Sequence, residues 1–177
     1  MAPEKISKGG MMRTLEKLMD RWDAMPRVRT CLWYSDRAEE AAAFYTEIVP
    51  NSRFEGVLFA EENKPSVIGF HLGGSPYLAF NGGPMYRHSP ASSILVMTED
   101  QTSTDQLWSS IMKAGGKPGA RGWCTDHYGV TWQVIPKAVV AMLNCGDYKM
   151  VDKIFAAMAF MTKLDIEGLA KVYEAGP

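Results

Sequence analysis

The side chains able to do chemistry in this chain are few and scattered. His71, His88 and His127 are its histidines, and none stands at the HxH or HxxxH spacing that brings imidazoles to one metal. Each reads as a surface or hydrogen-bonded structural residue. Cys31, Cys124 and Cys145 are odd in number and widely spaced, with no CxxC pair. That argues against a disulfide scaffold or a zinc ribbon and fits a reducing cytoplasm. A nucleophilic cysteine needs a basic partner, whereas Cys31 and Cys124 fall in strand-like segments where packing is their expected role. Glu39-Glu40 and Glu61-Glu62 are neighbours in sequence, so the carboxylates of each pair diverge and read as solvated faces. Adenosylmethionine sites usually present a Gly-rich loop between a strand and a helix. Here Gly73-Gly74 reads as a hairpin, Gly82-Gly83 follows a strand with no helix after it, and Gly115-Gly116 ends a helix. No cofactor is expected from these residues.

The whole-chain numbers narrow the partners. A length of 177 residues suits one domain with a real core. With 46% hydrophobic and 22% charged residues, a disordered chain, a coiled coil and a collagen-like fibre are excluded. A net charge of −1 offers no basic excess for phosphate neutralisation, so nucleic acid is not an expected partner. No apolar run reaches the ~18 residues of a membrane span, and Met1 to Lys5 lead into no apolar leader segment. A cytoplasmic protein is the expectation. Twelve methionines suggest a soft core or apolar surface that a partner covers.

The elements that would position these residues can be read from periodicity. Met12, Leu15, Leu18, Met19 and Trp22 share one face of a helix over 11–23, which Pro26 ends. Val28 to Tyr34 is β-branched and aromatic, hence a strand. Ser35-Asp36 can cap the next helix, in which Ala38, Ala41, Ala42, Tyr45, Ile48 and Val49 recur at helical spacing. Strands follow at Arg53 to Phe59, Ser66 to Leu72 and Pro76 to Phe80, the last two joined by Gly73-Gly74. The pattern then restarts. Ser92 to Thr98 is a strand, and Thr102 or Thr104 can cap a helix reaching Ala114. Gly119 to Thr125 and Val130 to Ile135 are strands about the turn Asp126-His127-Tyr128-Gly129. An offset of 63, carrying Leu32 to Leu95, also carries Phe44-Tyr45 to Leu107-Trp108 and Ile48 to Ile111. This reads as an internal duplication of a βαβββ unit. Beyond Pro136, Met150, Val151, Ile154, Phe155, Met158 and Met161 make a wide apolar helical face, and Asp165 can cap a last helix to Tyr173. This tail is expected to pack on the duplicated domain or across a dimer.

The duplicated unit, Ala43-Phe44-Tyr45, and Asp126-His127-Tyr128-Gly129-Val130-Thr131-Trp132-Gln133 together resemble the vicinal oxygen chelate superfamily of glyoxalase I, bleomycin-resistance proteins and extradiol dioxygenases. Leu32 to Ala41, Pro50 to Arg53, Asn81 to Pro84, Trp132 to Pro136 and Thr162 to Ile166 are similar to its PhnB-like branch, whose members often carry the label 3-demethylubiquinone 3-methyltransferase-like. The resemblance implies an α+β fold: two βαβββ modules, 28–83 and 91–137, forming an incomplete barrel. An N-terminal extension over 1–27 and a helical tail over 138–177 would flank it, often within a homodimer. It also implies a divalent metal held by inward side chains of the first and last strand of each module, which polarises substrate oxygens.

The matching positions depart from that ligand set. Thr30 (Arg29 if the connection to the helix is longer), Asn81, Ser92-Ser93 and Gln133 occupy them, giving one amide and hydroxyls in place of carboxylates and imidazoles. No metal is therefore expected. The leading expectation is a homodimer binding a small organic molecule through Thr30, Leu32, Phe70, Asn81, Trp123 and Gln133, with catalysis left open. The alternatives are a metal-dependent lyase, isomerase or dioxygenase with an unusual ligand set, and a drug-sequestering binder using Trp33, Trp123 and Trp132. The methyltransferase label has no chemical support in the glycine pairs.

Overall fold

The computed structural model describes Met12, residues 26–61 and residues 64–176. The helix expected over 11–23, Met12 apart, and Glu62 lie outside the described residues. The first module runs β1 (Thr30–Tyr34), α1 (Ala38–Ile48), β2 (Arg53–Glu61), β3 (Lys64–Leu72) and β4 (Ser75–Asn81). Its sheet has the order β1-β4-β3-β2, with β1 parallel to β4 and the other pairs antiparallel. Gly73 and Gly74 turn the β3–β4 hairpin at φ of 52° and 86°, both left-handed, which suits the strand twist. The second module runs β5 (Ser93–Thr98), α2 (Gln101–Lys113), β6 (Lys117–Pro118), β7 (Trp123–Thr125) and β8 (Thr131–Pro136). Its order, β5-β8-β7-β6 with β5 parallel to β8, repeats the first. The duplication is therefore real, and the two four-stranded sheets do not close into a barrel.

Three local readings change. The strand expected over Gly119 to Thr125 begins only at Trp123. Ahead of it Arg121 and Gly122 turn at φ of 60° and 81°, and their N–H groups donate to the carbonyls of Met161 and Thr162, both at 2.7 Å. The tail thus takes the hydrogen bonds that a longer strand would have used. Helix α2 is capped by Asp100, not by Thr102 or Thr104. Asp100 Oδ1 accepts from Ser103 N at 2.7 Å and Ser103 Oγ accepts from Asp100 N at 3.1 Å, a reciprocal capping box. Thr104 instead shares a buried hydroxyl contact of 2.6 Å with Thr98. Ser35-Asp36 do not cap α1. Its Ala38 N–H donates 2.8 Å to Oδ1 of Asn81 at the end of β4, so the cap arrives from across the sheet.

One apolar core joins both modules on the helix side of their sheets. Its centre is polar. Asp126, buried at the start of the 126–129 turn, accepts from Tyr128 N at 2.8 Å and Val130 N at 3.0 Å through Oδ1. Oδ2 accepts from Trp132 Nε1 at 2.8 Å and from Tyr45 Oη, on the other module, at 2.7 Å. Tyr34 Oη in turn donates to Tyr45 Oη at 3.2 Å. A buried carboxylate with this many donors is fully satisfied and cross-links the modules.

The tail forms α3 (Lys137–Leu143), α4 (Tyr148–Met158) and α5 (Ile166–Glu174). Asp165 caps α5 by accepting from Glu167 N at 3.1 Å. Met150, Ile154 and Met158 pack with Val139, Leu164, Leu169 and Ile135 in a second core. Most of the apolar face expected to pack on the domain or across a dimer is thereby buried within the chain, while Phe155 stays exposed.

Candidate functional site

Strand alternation divides each sheet into a helix-covered face and an open face. In the second module Ile94, Val96, Thr98, Trp132 and Val134 turn toward the helices. Ser93, Leu95, Met97, Trp123, Gln133 and Ile135 share the open face, because Leu95, Gln133 and Trp123 are register partners. Gln133 Nε2 donates to Ser93 Oγ at 2.8 Å. Leu95, opposite Gln133, and Met97 next along the same face are 52% and 58% exposed, and the tail covers Ile135.

In the first module Leu32, Ala79 and Ile68 are register partners packed on α1, and Thr30, Tyr77 and Phe70 share their face. Its open face carries Arg29, Cys31, Trp33, Leu78 and Phe80. Of the residues expected to bind a ligand, Gln133 and Trp123 therefore come together on one open face. Thr30, Leu32, Phe70 and Asn81 lie on the helix side of the other sheet. Phe70 is fully buried there, and Asn81 caps α1. The partner of Gln133 is Ser93, neither Thr30 nor Asn81.

The reason is a single residue. To keep helix-facing residues equivalent, Tyr34 of β1 must correspond to Thr98 of β5, 64 positions on, while the helices keep the offset of 63. The connection from β1 to α1 is one residue longer than that from β5 to α2, and a one-residue slip reverses every side chain. Arg29 thus takes the position that Ser93 holds in the second module.

Arg29 anchors an ion network that sequence reasoning missed. Its Nη1 donates to Glu55 Oε2 at 2.5 Å and its Nη2 to Glu55 Oε1 at 3.4 Å, with both side chains largely buried. His71 Nδ1 lies 3.0 Å from Glu55 Oε1, and Arg53 Nη2 lies 3.1 Å from His71 Nε2. The Arg29 guanidinium holds the Glu55 carboxyl below the usual carboxylate range. Burial pushes His71 down, against the pull of Glu55. The available signal was Arg29 as the alternative to Thr30, together with Glu55 and His71 at alternating positions of adjacent strands. Burial raises the thiol of Cys31 and pushes that of Cys124 up to about 12, which disfavours a thiolate at either.

These residues do not fit the divalent metal that the superfamily implies. Arg29, just ahead of β1, is a cation, the open face of β4 offers Leu78 and Phe80, and the second module offers a hydroxyl and an amide already bonded to each other. Among the described residues no three His, Cys, Asp or Glu side chains come together as a metal would require. Among them, too, no helix is long and apolar enough to cross a membrane.

Residues 26–135 match the family model described as 3-demethylubiquinone-9 3-methyltransferase. Among solved structures, the PhnB protein of Bacillus cereus, a 3-demethylubiquinone-9 3-methyltransferase by name, is 24% identical. It aligns with a TM-score of 0.56 over 63% of this chain and 99% of that one. A protein from Pseudomonas aeruginosa is 16% identical, with a TM-score of 0.52 over 63% of this chain and 98% of its own. No curated protein matches the chain. At such identities the two structures share a fold with this chain, and their names describe those proteins alone.

Proposed function

The chain belongs to the 3-demethylubiquinone-9 3-methyltransferase family, the PhnB-like branch of the glyoxalase-fold proteins, and from that premise we propose that it is a homodimer holding a small organic molecule against its open sheet faces. The observation that carries this reading is the half-buried Gln133–Ser93 pair beside Leu95 and Met97, exposed to 52% and 58%. Apolar surface around a single oriented amide suits a ligand with an apolar body and one carbonyl or hydroxyl. Trp123 beside Gln133 offers a ring for stacking.

The homodimer draws its support from the strand edges. β1 and β5 each pair on one side only, and a groove of about 760 Å3 runs beside β5. Exposed edges of this kind are normally covered. The methyl transfer in the family's name finds no backing in this chain's glycines, which sit in a hairpin, after a strand and after a helix.

Light scattering and a thermal-shift ligand screen test the proposal together. The expected results are a dimer mass at micromolar concentration, a shift toward monomer in Leu95→Glu, and ligand hits lost in Gln133→Leu. A monomer throughout would overturn the dimer. Hits that stabilise wild type and Gln133→Leu equally would overturn the binding face.

A further inference from the structure

The network on the first module's open face fixes the protonation of one of its members. Arg53 Nη2 lies 3.1 Å from Nε2 of His71, its register partner on β3. A guanidinium keeps its protons in a protein and carries no acceptor, so Arg53 donates and Nε2 accepts. His71 is therefore neutral, with its hydrogen on Nδ1. That hydrogen is poorly served. Nδ1 is buried 3.0 Å from Glu55 Oε1, yet it makes no hydrogen bond there. Buried polar atoms in folded proteins almost always have a partner, so the ring is satisfied at one nitrogen and not at the other.

One proton on Nε2 reverses both contacts. It sets an N–H of His71 against an N–H of Arg53 and places two cations side by side. It also turns the approach of Nδ1 to Glu55 into an ion pair. The charged groups acting on the ring among the described residues are Glu55, Arg53 and Arg29. On β4 the register partner of His71 is Pro76, which carries no charge. Helix α1 packs on the other face of β3, with its acids Glu39, Glu40 and Glu47 exposed. The three charged groups differ in their freedom to respond. Arg29 and Glu55 are largely buried and bonded to each other. Glu55 is also seated over Gly69, where a Cβ would come within 2.6 Å of Oε2. The Arg53 side chain is 65% exposed, and its other tie is a contact of 3.4 Å to Glu55 Oε1.

We propose that His71 is a proton-operated latch for Arg53: neutral, it holds the guanidinium against the open face of the first module, and protonated, it turns to Glu55 and releases Arg53 to water. Burial holds His71 below the ordinary histidine range, so the latch is closed at neutral pH and opens toward acid. The device lies wholly in the first module and stands whether or not Gln133 binds a ligand. The test is side-chain nitrogen NMR of the full chain, titrated from about pH 8 to about pH 5. At the upper end His71 is expected to show a bare Nε2 and a hydrogen on Nδ1, with the Arg53 guanidinium slowed in its rotation. The Arg53 signals should become those of a free guanidinium in step with the titration of His71. Arg53→Ala, at a side chain exposed enough to leave folding intact, is expected to raise the His71 midpoint by about one pH unit, a tenfold tighter proton. Arg53→Lys, which still donates, should keep most of the wild-type midpoint. Arg27→Ala, which removes an exposed cation outside the network, should move it by less than about a third of a unit. A neutral His71 with its hydrogen on Nε2 would overturn the proposal. So would Arg53 signals that stay constant while His71 titrates, equal midpoints in wild type and Arg53→Ala, or a His71 that does not titrate in this range.

Discussion

The two modules share one topology and differ in what their open faces carry. On the helix side they are alike: Leu32, Ile68 and Ala79 in one, Ile94, Trp132 and Val134 in the other, all packed into a common core. On the open side the first module holds a largely buried Arg29–Glu55–His71 network, with the exposed Arg53 against it. The second holds a neutral pair, Gln133–Ser93, among exposed apolar residues. Packing constrains the first kind of face, because each helix must meet a sheet of matching shape. Nothing of the sort constrains the second, so chemistry can change there while the fold persists. The difference also has an energetic side. Buried charges must be paired, whereas a half-buried amide can turn to water.

The largest effect should come from unpairing the ion network. Arg29→Met leaves the Glu55 carboxylate, at 16% side-chain exposure, with only the exposed Arg53 at 3.4 Å and His71 at 3.0 Å beside it. Breaking a buried pair from one side costs about 3–5 kcal/mol when the remaining charge is uncompensated, and the exposed Arg53 offsets part of that, so the low end, about 3 kcal/mol, applies. Urea unfolding should show a loss of that size, and Arg29→Met with Glu55→Leu should recover most of it. If Arg29→Met alone costs no more than an exposed ion pair, the network is solvated and the contrast between the faces disappears.

Next comes the joint between the modules. Tyr45→Phe removes one of the two donors to Asp126 Oδ2 and the acceptor for Tyr34 Oη. Loss of a buried hydrogen bond to a charged group costs about 1.5–3 kcal/mol. The expected outcome is a lower urea midpoint with one cooperative transition, since the core is shared. Two separated transitions would show the modules to be energetically independent.

How much of this was legible in the sequence follows from periodicity. The helices and most strands could be read, because Ala38, Ala41, Ala42 and Tyr45 or Leu107, Trp108 and Ile111 recur on one face whatever the rest does. The helix offset of 63 was legible for the same reason. The face of β1 was not, because strand parity hinges on one residue in the β1–α1 connection, and no local pattern reports its length. Thr30, Leu32 and Phe70 were assigned to a site on that account, although all three lie on the helix side of the sheet, where Leu32 and Phe70 are core residues and Thr30 is exposed. The capping role of Asn81 was not legible, because a cap donated from another element has no local signature. The face of Gln133 was legible, since the Asp126 turn beside it fixes the register of β8.

The charged face should also give the first module a pH signature. Burial lowers His71, and pairing with Arg29 lowers Glu55, so for each the folded chain takes up a proton later than the unfolded chain. The stability that each supplies is complete above its ordinary value, 6.5 for the histidine and 4.5 for the glutamate. It is lost as pH falls below those values. Stability should therefore be highest near pH 7.5 and decline in two stages toward acid. His88, also lowered by burial, adds to the first stage. Urea midpoints across this range should show a shallower first stage in His71→Gln than in wild type. An identical slope would mean that His71 titrates as it does in water.

The smallest effect belongs to the neutral face. Gln133 and Ser93 are each half-buried, and the bond between them joins two uncharged groups. Such a bond contributes about 0.5–1.5 kcal/mol, and where water can replace a lost partner the low end applies. Leucine at position 133 adds apolar surface beside Leu95 and Trp123, which offsets part of the loss. Gln133→Leu should therefore shift stability by less than about 1 kcal/mol, several-fold less than Arg29→Met on the corresponding face. Urea unfolding of the two variants under one buffer gives the ratio directly. Comparable losses would mean that the amide is held as tightly as the charges, and the second face would then be a structural joint with little room for a ligand.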